Sequence, residues 1–151
     1  MATQRTYASR RHNILEGLVT ALKTIDGSGA FLSNVGENVH PRMKFWDEVD
    51  EFPAIHLNAG GETRDYQTAG YKDRFLQGTV RCYVNEEDAQ VALGALLEDV
   101  ETVLEKHSRL TYFDSTFTKN NTHQITIISI DTDEGALEPL GVGEMIIEVR
   151  Y

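Results

Sequence analysis

Residues 71–107, YKDRFLQGTVRCYVNEEDAQVALGALLEDVETVLEKH, contain two successive patterns of apolar residues with different periods. Up to Val84, apolar side chains alternate with others, which is the period of a β-strand with one buried face. From Ala89 onward they recur every three or four residues, which is the period of an amphipathic helix. Residues 85–88, Asn-Glu-Glu-Asp, supply a helix cap and an acidic first turn. The stretch therefore predicts a strand that leads directly into a helix.

The two faces of this predicted strand differ in character. One side is apolar and consists of Leu76, Val80, Cys82 and Val84. The other side mixes aromatic, polar and charged residues, namely Phe75, Gln77, Thr79, Arg81 and Tyr83. Such a mixed face suits cover by a neighbouring subunit, and it equally suits cover by the chain's own loops.

The flanking sequence predicts a second helix and further strands. An apolar stripe predicts a helix from about Tyr7 to Ile25, ended by the glycines that follow. Residues 30–39 predict a short strand followed by a turn, with Phe31, Leu32 and Val35 available for burial, and further strands are predicted at 54–59, 124–130 and 144–151. Residues 41–52 predict a short helical turn, 60–70 a long hairpin connection and 110–123 an irregular segment. On the helix after residue 89, Glu98, Asp99, Glu101 and Glu105 are predicted to face solvent.

The order of these elements indicates the fold class. A helix, two or three strands, a second helix and two strands follow one another through hairpins rather than crossovers. This order predicts an α+β fold with a mixed, mostly antiparallel sheet and two main helices packed on one face. The 151 residues fit a single domain, 1–151, that needs neither metal nor disulfide to fold.

The net charge of the chain restricts which macromolecules it can bind. Fourteen Lys and Arg against 24 Asp and Glu give a formal charge of −10, which repels a phosphate backbone. The basic residues concentrate only near the N-terminus, at Arg5, Arg10 and Arg11. Cys82 is the single cysteine and no apolar run approaches the length of a membrane span, so we expect no internal disulfide and no membrane partner. We expect a soluble protein made in a cytoplasm.

The sequence contains no recognisable catalytic or metal-binding motif. The five histidines are scattered without the spacing of zinc ligands. Asp131, Asp133 and Glu134 match only part of a calcium loop, so a solvated acidic turn is favoured. Gly27 and Gly29 follow a helix rather than a strand and are not a phosphate-binding loop. We therefore predict no enzyme activity, no catalytic residue, no metal and no cofactor.

The order of features resembles the tail terminator and tail completion proteins of long-tailed bacteriophages, the class that includes the minor tail protein U group. The segments that carry the resemblance span nearly the whole chain. They are the helix ending at Ile25-Asp26-Gly27, Phe52-Pro53-Ala54-Ile55-His56-Leu57, Arg81-Cys82-Tyr83-Val84-Asn85, the helix Ala89 to Leu104, Ile128-Ser129-Ile130-Asp131-Thr132-Asp133, and Met145-Ile146-Ile147-Glu148-Val149-Arg150-Tyr151. They share architecture and spacing and include no catalytic signature.

The resemblance implies a structural virion protein in the tail or neck, assembled in the host cytoplasm. Six copies are expected to form a ring on the last ring of tail tube protein, to end tube growth and to offer a docking face for the head–tail connector or neck protein. DNA would pass through the channel without specific binding. Six charges of −10 give about −60 per ring, which keeps DNA from sticking, although acidic charge also simply favours solubility.

A closed head-to-tail ring needs two different complementary patches on each subunit. We predict that interface residues lie at the start of the first helix, in residues 42–51 and in the connection at 60–70. Aromatic and arginine side chains are favoured at such contacts. The predicted interface residues are Arg5, Arg10, Arg11, Trp46, Tyr66 and Tyr71. Core packing remains an equal alternative for Trp46.

Two other classes stay open at the level of the sequence. One is a different phage neck or tail component, such as a head-closure or tube protein. The other is a small ligand-binding module of ferredoxin-like topology, whose ligand would lie between sheet and loops.

Overall fold

The structure, a computed structural model, describes residues 9–114 and 116–151. It confirms the predicted α+β class. In chain order the elements are α1 (Arg10–Leu22), β1 (Val39–His40), β2 (Ala54–Tyr66), β3 (Lys72–Asn85), α2 (Ala89–Lys106), β4 (Thr111–Phe113), β5 (Lys119–Asn121), β6 (Gln124–Thr132) and β7 (Leu140–Arg150). One sheet has the strand order β1-β2-β3-β7-β6, and β4 and β5 form a small second sheet. Among these described strands only β1 and β2 pair in parallel, and their other pairings are antiparallel.

The central strand β3 is paired on both sides along most of its length. Its pairing with β2 runs from Lys72 opposite Tyr66 to Tyr83 opposite Ala54. Its pairing with β7 runs from Phe75 opposite Arg150 to Asn85 opposite Leu140. The hairpin of β2 and β3 therefore extends beyond the end of β7.

The prediction of a long connection from Gly60 to Gly70 is wrong. Residues 60–66 continue β2, and only a tight turn with Ala69 and Gly70 at positive φ joins it to β3. These residues are mostly exposed, so their side chains need no apolar alternation, and backbone pairing with β3 holds them in the strand. A β-bulge between Ala59 and Glu62 further breaks the alternation that sequence analysis depends on.

The core lies between the two helices and one face of the large sheet. The alternation predicted for β3 and β7 is confirmed, because Val80, Cys82, Met145 and Ile147 are all buried on this face. The helices contribute Ile14, Leu18, Leu22, Leu93, Leu96, Val100 and Leu104. Each fully buried side chain of this size stabilises the fold by about 1.5–3 kcal/mol.

Both helices are confirmed, with two changes of detail. Within the described residues α1 begins at Arg10, after Ser9, whose hydroxyl accepts from the backbone N–H of His12, and it ends at Leu22 before Ile25. At the start of α2 the predicted acidic first turn is wrong, because the acidic residues precede the helix and Asp88 makes no capping hydrogen bond. No helix in the described part of the chain is long and apolar enough to span a bilayer.

The short strand predicted within residues 30–39 is absent at residues 31–33, whereas the predicted turn is present at residues 36–37 and Val35 is buried. A buried carboxylate explains the missing strand. The carboxylate of Asp99 accepts hydrogen bonds from the backbone N–H groups of Leu32, at 3.0 Å, and Ser33, at 2.7 Å. This interaction holds residues 32 and 33 in an irregular loop over α2, and it leaves the Leu32 side chain 63% exposed. The predicted solvent position of Asp99 is likewise wrong, because only 2% of it is exposed.

Replacement of Asp99 should destabilise the protein. Asp99→Ala leaves two backbone donors without their charged acceptor, and we expect a loss of about 2–3 kcal/mol in the free energy of unfolding. Urea denaturation measures this loss. The matched control is Glu98→Ala on the exposed side of the same helix, for which we expect a change within about 0.5 kcal/mol. Equal losses in the two variants would contradict the assigned role of Asp99.

Candidate interaction surfaces

The tip of the β2–β3 hairpin exposes two of the predicted interface residues. Tyr66 is 70% exposed and Tyr71 is 73% exposed. The hairpin is held in place where it leaves the sheet, because Arg150 forms an ion pair with Asp73 at 3.0 Å. Arg74 also exchanges two backbone hydrogen bonds with Tyr151. The tip therefore presents its aromatic rings on an ordered support.

The start of α1 lies beside this hairpin. The guanidinium of Arg11 donates a hydrogen bond to the carbonyl of Gly60 in β2. Burial raises the pKa of Tyr112, while the charges of Arg10 and Arg74 oppose that rise because both lie near its hydroxyl. Arg5 lies outside the described residues. The structure thus places the start of α1 on the half of the sheet that leads to the hairpin tip, with the Arg11 contact six residues before Tyr66 along β2.

Trp46 lies toward the other end of the sheet. It begins a short 3₁₀ turn and is 49% exposed, so it does not belong to the buried core. The segment around it crosses the sheet face opposite the helices, where the Tyr83 hydroxyl donates to the carbonyl of Lys44 at 2.5 Å. Asn38 fixes the end of the segment by donating to the carbonyls of Glu51 and Pro53. This segment covers Tyr83, so at this end the chain's own loop covers the mixed face.

His56 is a buried anchor of the same segment. Its Nδ1 lies 2.9 Å from the carbonyl oxygen of Arg42, and its ring stacks on His40 with the centroids 5.1 Å apart. Burial lowers the pKa of His56, the hydrogen bond to Arg42 opposes this, and the nearby positive charges of His40, Lys44 and Arg42 lower the pKa further. The folded state therefore disfavours the protonated ring.

The low pKa of His56 should make the anchor sensitive to acid. A histidine whose folded-state pKa is depressed contributes its stability above the unfolded value, and that stability is lost as the pH falls below about 6.5. In an NMR titration we expect the His56 ring signals to titrate with a midpoint below 6.5, the ordinary value. A His56 midpoint above 6.5 would contradict the assignment.

The rest of the mixed face is open. Phe75, Gln77, Ile128, Ile146 and Glu148 line a shallow groove across β3, β7 and β6. Ile128 is 56% exposed, and no segment of the described chain lies over the groove as residues 42–51 lie over Tyr83. Beside it, Arg81 pairs with Glu144 at 2.7 Å, whereas Glu148 forms no ion pair with any described residue. The open face therefore carries both apolar and net acidic character.

Sequence reasoning missed a basic pocket at the hairpin end. Lys72, Arg74, Arg109 and Lys119 line it together with His123, and no Asp or Glu is among its described lining residues. These cations come from three separate segments of the chain, so no local run of sequence reveals them. The pairing of β4 with β5, and the position of that small sheet beside the start of β3, bring them together.

The described residues offer little material for catalysis. Among residues 9–114 and 116–151, no group of three or more His, Cys, Asp and Glu side chains is placed to hold a metal ion. Burial raises the pKa of the Cys82 thiol to about 12, so the thiol stays protonated and unreactive at neutral pH. The distinctive features of the surface are its two dissimilar ends and its open sheet face, which are suited to binding other macromolecules.

Known proteins are similar to this chain in sequence or in fold. A family model described as "Bacteriophage Tail Tube Terminator Protein" matches residues 8–151. The chain is 33% identical over 150 residues to the tail tube terminator protein p142 of Escherichia phage T5, covering 93% of this chain and 92% of that protein. Its fold is similar to that of a chain in the virion of a native gene transfer agent particle, with a TM-score of 0.57, 10% identity and coverage of 96% and 98%.

Proposed function

Because the chain belongs to the bacteriophage tail tube terminator family, and is thus a structural component of the virion tail, we propose that it acts as a homohexameric ring at the head-proximal end of the tube. The ring stops the addition of tail tube protein on one side. On its other side it provides the docking face for the head–tail connector or neck protein. The protein needs no cofactor and catalyses no reaction in this role.

The observation that carries this proposal is the presence of two dissimilar ends on one sheet. A head-to-tail ring joins two different patches of the same subunit, and it closes when the rotation between neighbours divides a full turn. Tyr66 and Tyr71 are exposed at one end, on the half of the sheet where Arg11 contacts Gly60, while Trp46 lies toward the other end. Aromatic and arginine side chains are the residue types enriched at the centres of interfaces.

The net charge supports a channel through which DNA slides. At −10 per chain a ring of six subunits carries about −60. If part of this negative charge lines the channel, the channel surface repels the phosphates of DNA. The open sheet face, with Glu148 and without a matching surplus of cations, is suited to line such a channel. DNA then passes without specific contacts.

Loss of a length terminator should give overlong tubes. Tail tube protein assembled with the wild-type chain is expected to yield tubes of uniform length, and without it tubes that continue to grow. Negative-stain electron microscopy measures the two length distributions. Identical distributions with and without the chain would contradict the role in ending tube growth.

Trp46 should contribute to the contact between subunits. Trp46→Ala removes a half-exposed ring, so we expect little change in folding but association weaker by at least about 30-fold, as for an interface hot spot of about 2 kcal/mol. Light scattering coupled to size-exclusion chromatography measures the assembled mass. The matched control is Val91→Ala on the solvent side of α2, where the side chain is 67% exposed. Equal masses for the two variants at every concentration would exclude Trp46 from the contact.

A further inference from the structure

The basic pocket holds a surplus of positive charge on an acidic protein. Lys72, Arg74, Arg109 and Lys119 line it, and none of them forms an ion pair with any described residue. Two of them lie over aromatic rings instead: Arg74 is 5.4 Å from the Tyr151 ring centroid and Lys72 is 5.9 Å from that of Tyr66. These contacts orient the cations without neutralising them.

Nearby carboxylates offset only part of this surplus. Asp114, near Tyr112, accepts from Thr116, Thr118 and Asn120, and Asp65 lies opposite Asp73 in the hairpin; neither forms an ion pair with a described residue. Glu62 accepts hydrogen bonds from the Tyr151 hydroxyl and from Arg64. Asp73 is paired with Arg150. Arg10 adds a further positive charge close to Tyr112, which itself lines the pocket. The hairpin end of the molecule is therefore locally basic in a chain whose formal charge is −10.

The opposite end of the same strands is acidic. Glu86, Glu87 and Asp88 are exposed where β3 passes into α2. The turn before β7 lies against them, since the backbone N–H of Glu86 donates to the carbonyl of Pro139 at 3.0 Å, and this turn exposes Glu134 and Glu138. Residues 82–105 and 120–149 contain no Lys or Arg. No cation from these segments neutralises the acidic end.

The geometry of the sheet keeps the two charged ends apart. Lys72 begins β3 and Asn85 ends it, and at about 3.3 Å per residue the two are roughly 40 Å apart. β7 runs the other way, from Leu140 beside the acidic end to Arg150 beside the basic pocket. The two charged surfaces cannot meet within one subunit, but they can meet between two copies joined head to tail.

We propose that the basic pocket of each subunit binds the Glu86-Glu87-Asp88 segment of the next copy. This inference deepens the proposed ring and rests on it, because it names the two patches that a head-to-tail contact requires. The two charged surfaces explain why subunits that are strongly acidic can still associate. The contact joins opposite charges, although the net charges of the two subunits repel each other. A second copy fits better than DNA, since the net charge of the chain repels phosphates while the acidic segment is present at equal concentration in every assembly.

Paired charge reversals test the contact. The basic-end variant carries Lys72→Glu and Lys119→Glu, and the acidic-end variant carries Glu86→Lys and Glu87→Lys; all four side chains are exposed, so folding should be retained. We expect each variant alone to need at least about tenfold more protein than the wild type to form the ring, because the reversed side chains then face charges of their own sign. An equimolar mixture should regain the ring, since the two variants can alternate around an even-numbered ring so that every reversed side chain faces a charge of opposite sign.

Net charge cannot account for this pattern. Each reversal changes the charge by two units, so the formal charge of −10 becomes −14 in one variant and −6 in the other, yet both are expected to lose the ring. Lys23→Glu, away from both ends and beside Glu37, is the matched control and should leave the ring intact. Circular dichroism checks that each variant is folded, and light scattering at fixed ionic strength measures the assembled mass.

The outcomes separate this inference from the proposed function. If the wild type forms a ring and both reversed variants form it equally well, the charged contact is wrong and the ring stands. If each variant fails alone and the mixture also fails, the pocket has another occupant, such as tail tube protein or DNA, and the inference is overturned. If the wild type forms no ring either alone or with tail tubes, the proposed ring itself is wrong.

Discussion

The double pairing of β3 is the constraint on which the rest of the structure depends. With β2 on one side and β7 on the other, β3 has a neighbour along most of its length, so its alternation of side chains is fixed in register. One face then supplies apolar residues to the two helices, and the other remains mixed. The same pairing carries the hairpin tip and the start of α2 to opposite ends of one rigid strand, so a single element sets both the core and the separation of the two surfaces.

Sequence patterns predicted those elements whose side chains alternate between core and solvent. β3, β7 and α2 have such patterns, and their buried faces are as expected. The distal half of β2 has no such pattern because it is mostly exposed and backbone pairing with β3 keeps it in the strand. Asp99 could not be predicted for a different reason. Its place among acidic neighbours on α2 indicates a solvent-exposed side chain. The carboxylate is buried because it binds the loop of Leu32 and Ser33, which is distant in the sequence.

The candidate interaction surfaces could be predicted from the sequence only in part. Exposed aromatic residues such as Tyr66 and Tyr71 could be chosen from residue type and the glycine-containing segment around them. Their place on the half of the sheet where Arg11 contacts Gly60 depends on the long hairpin, which the sequence did not reveal. The basic pocket could not be predicted, because its four cations are distributed over residues 72–119 and meet only through tertiary structure. Charge in this chain is organised by fold, with opposite signs at opposite ends of the strands.

We expect subunits with two different ends to assemble through contacts between the hairpin end of one copy and the α2 start of the next. That claim is tested most directly by a cryo-electron microscopy reconstruction of the head-proximal end of the tail in virions that carry this chain. The account predicts a closed ring of the chain on the last ring of tube protein, in which the hairpin end of each copy touches the α2 start of its neighbour. A chain absent from that position, or copies joined through the same surface on both partners, would contradict it.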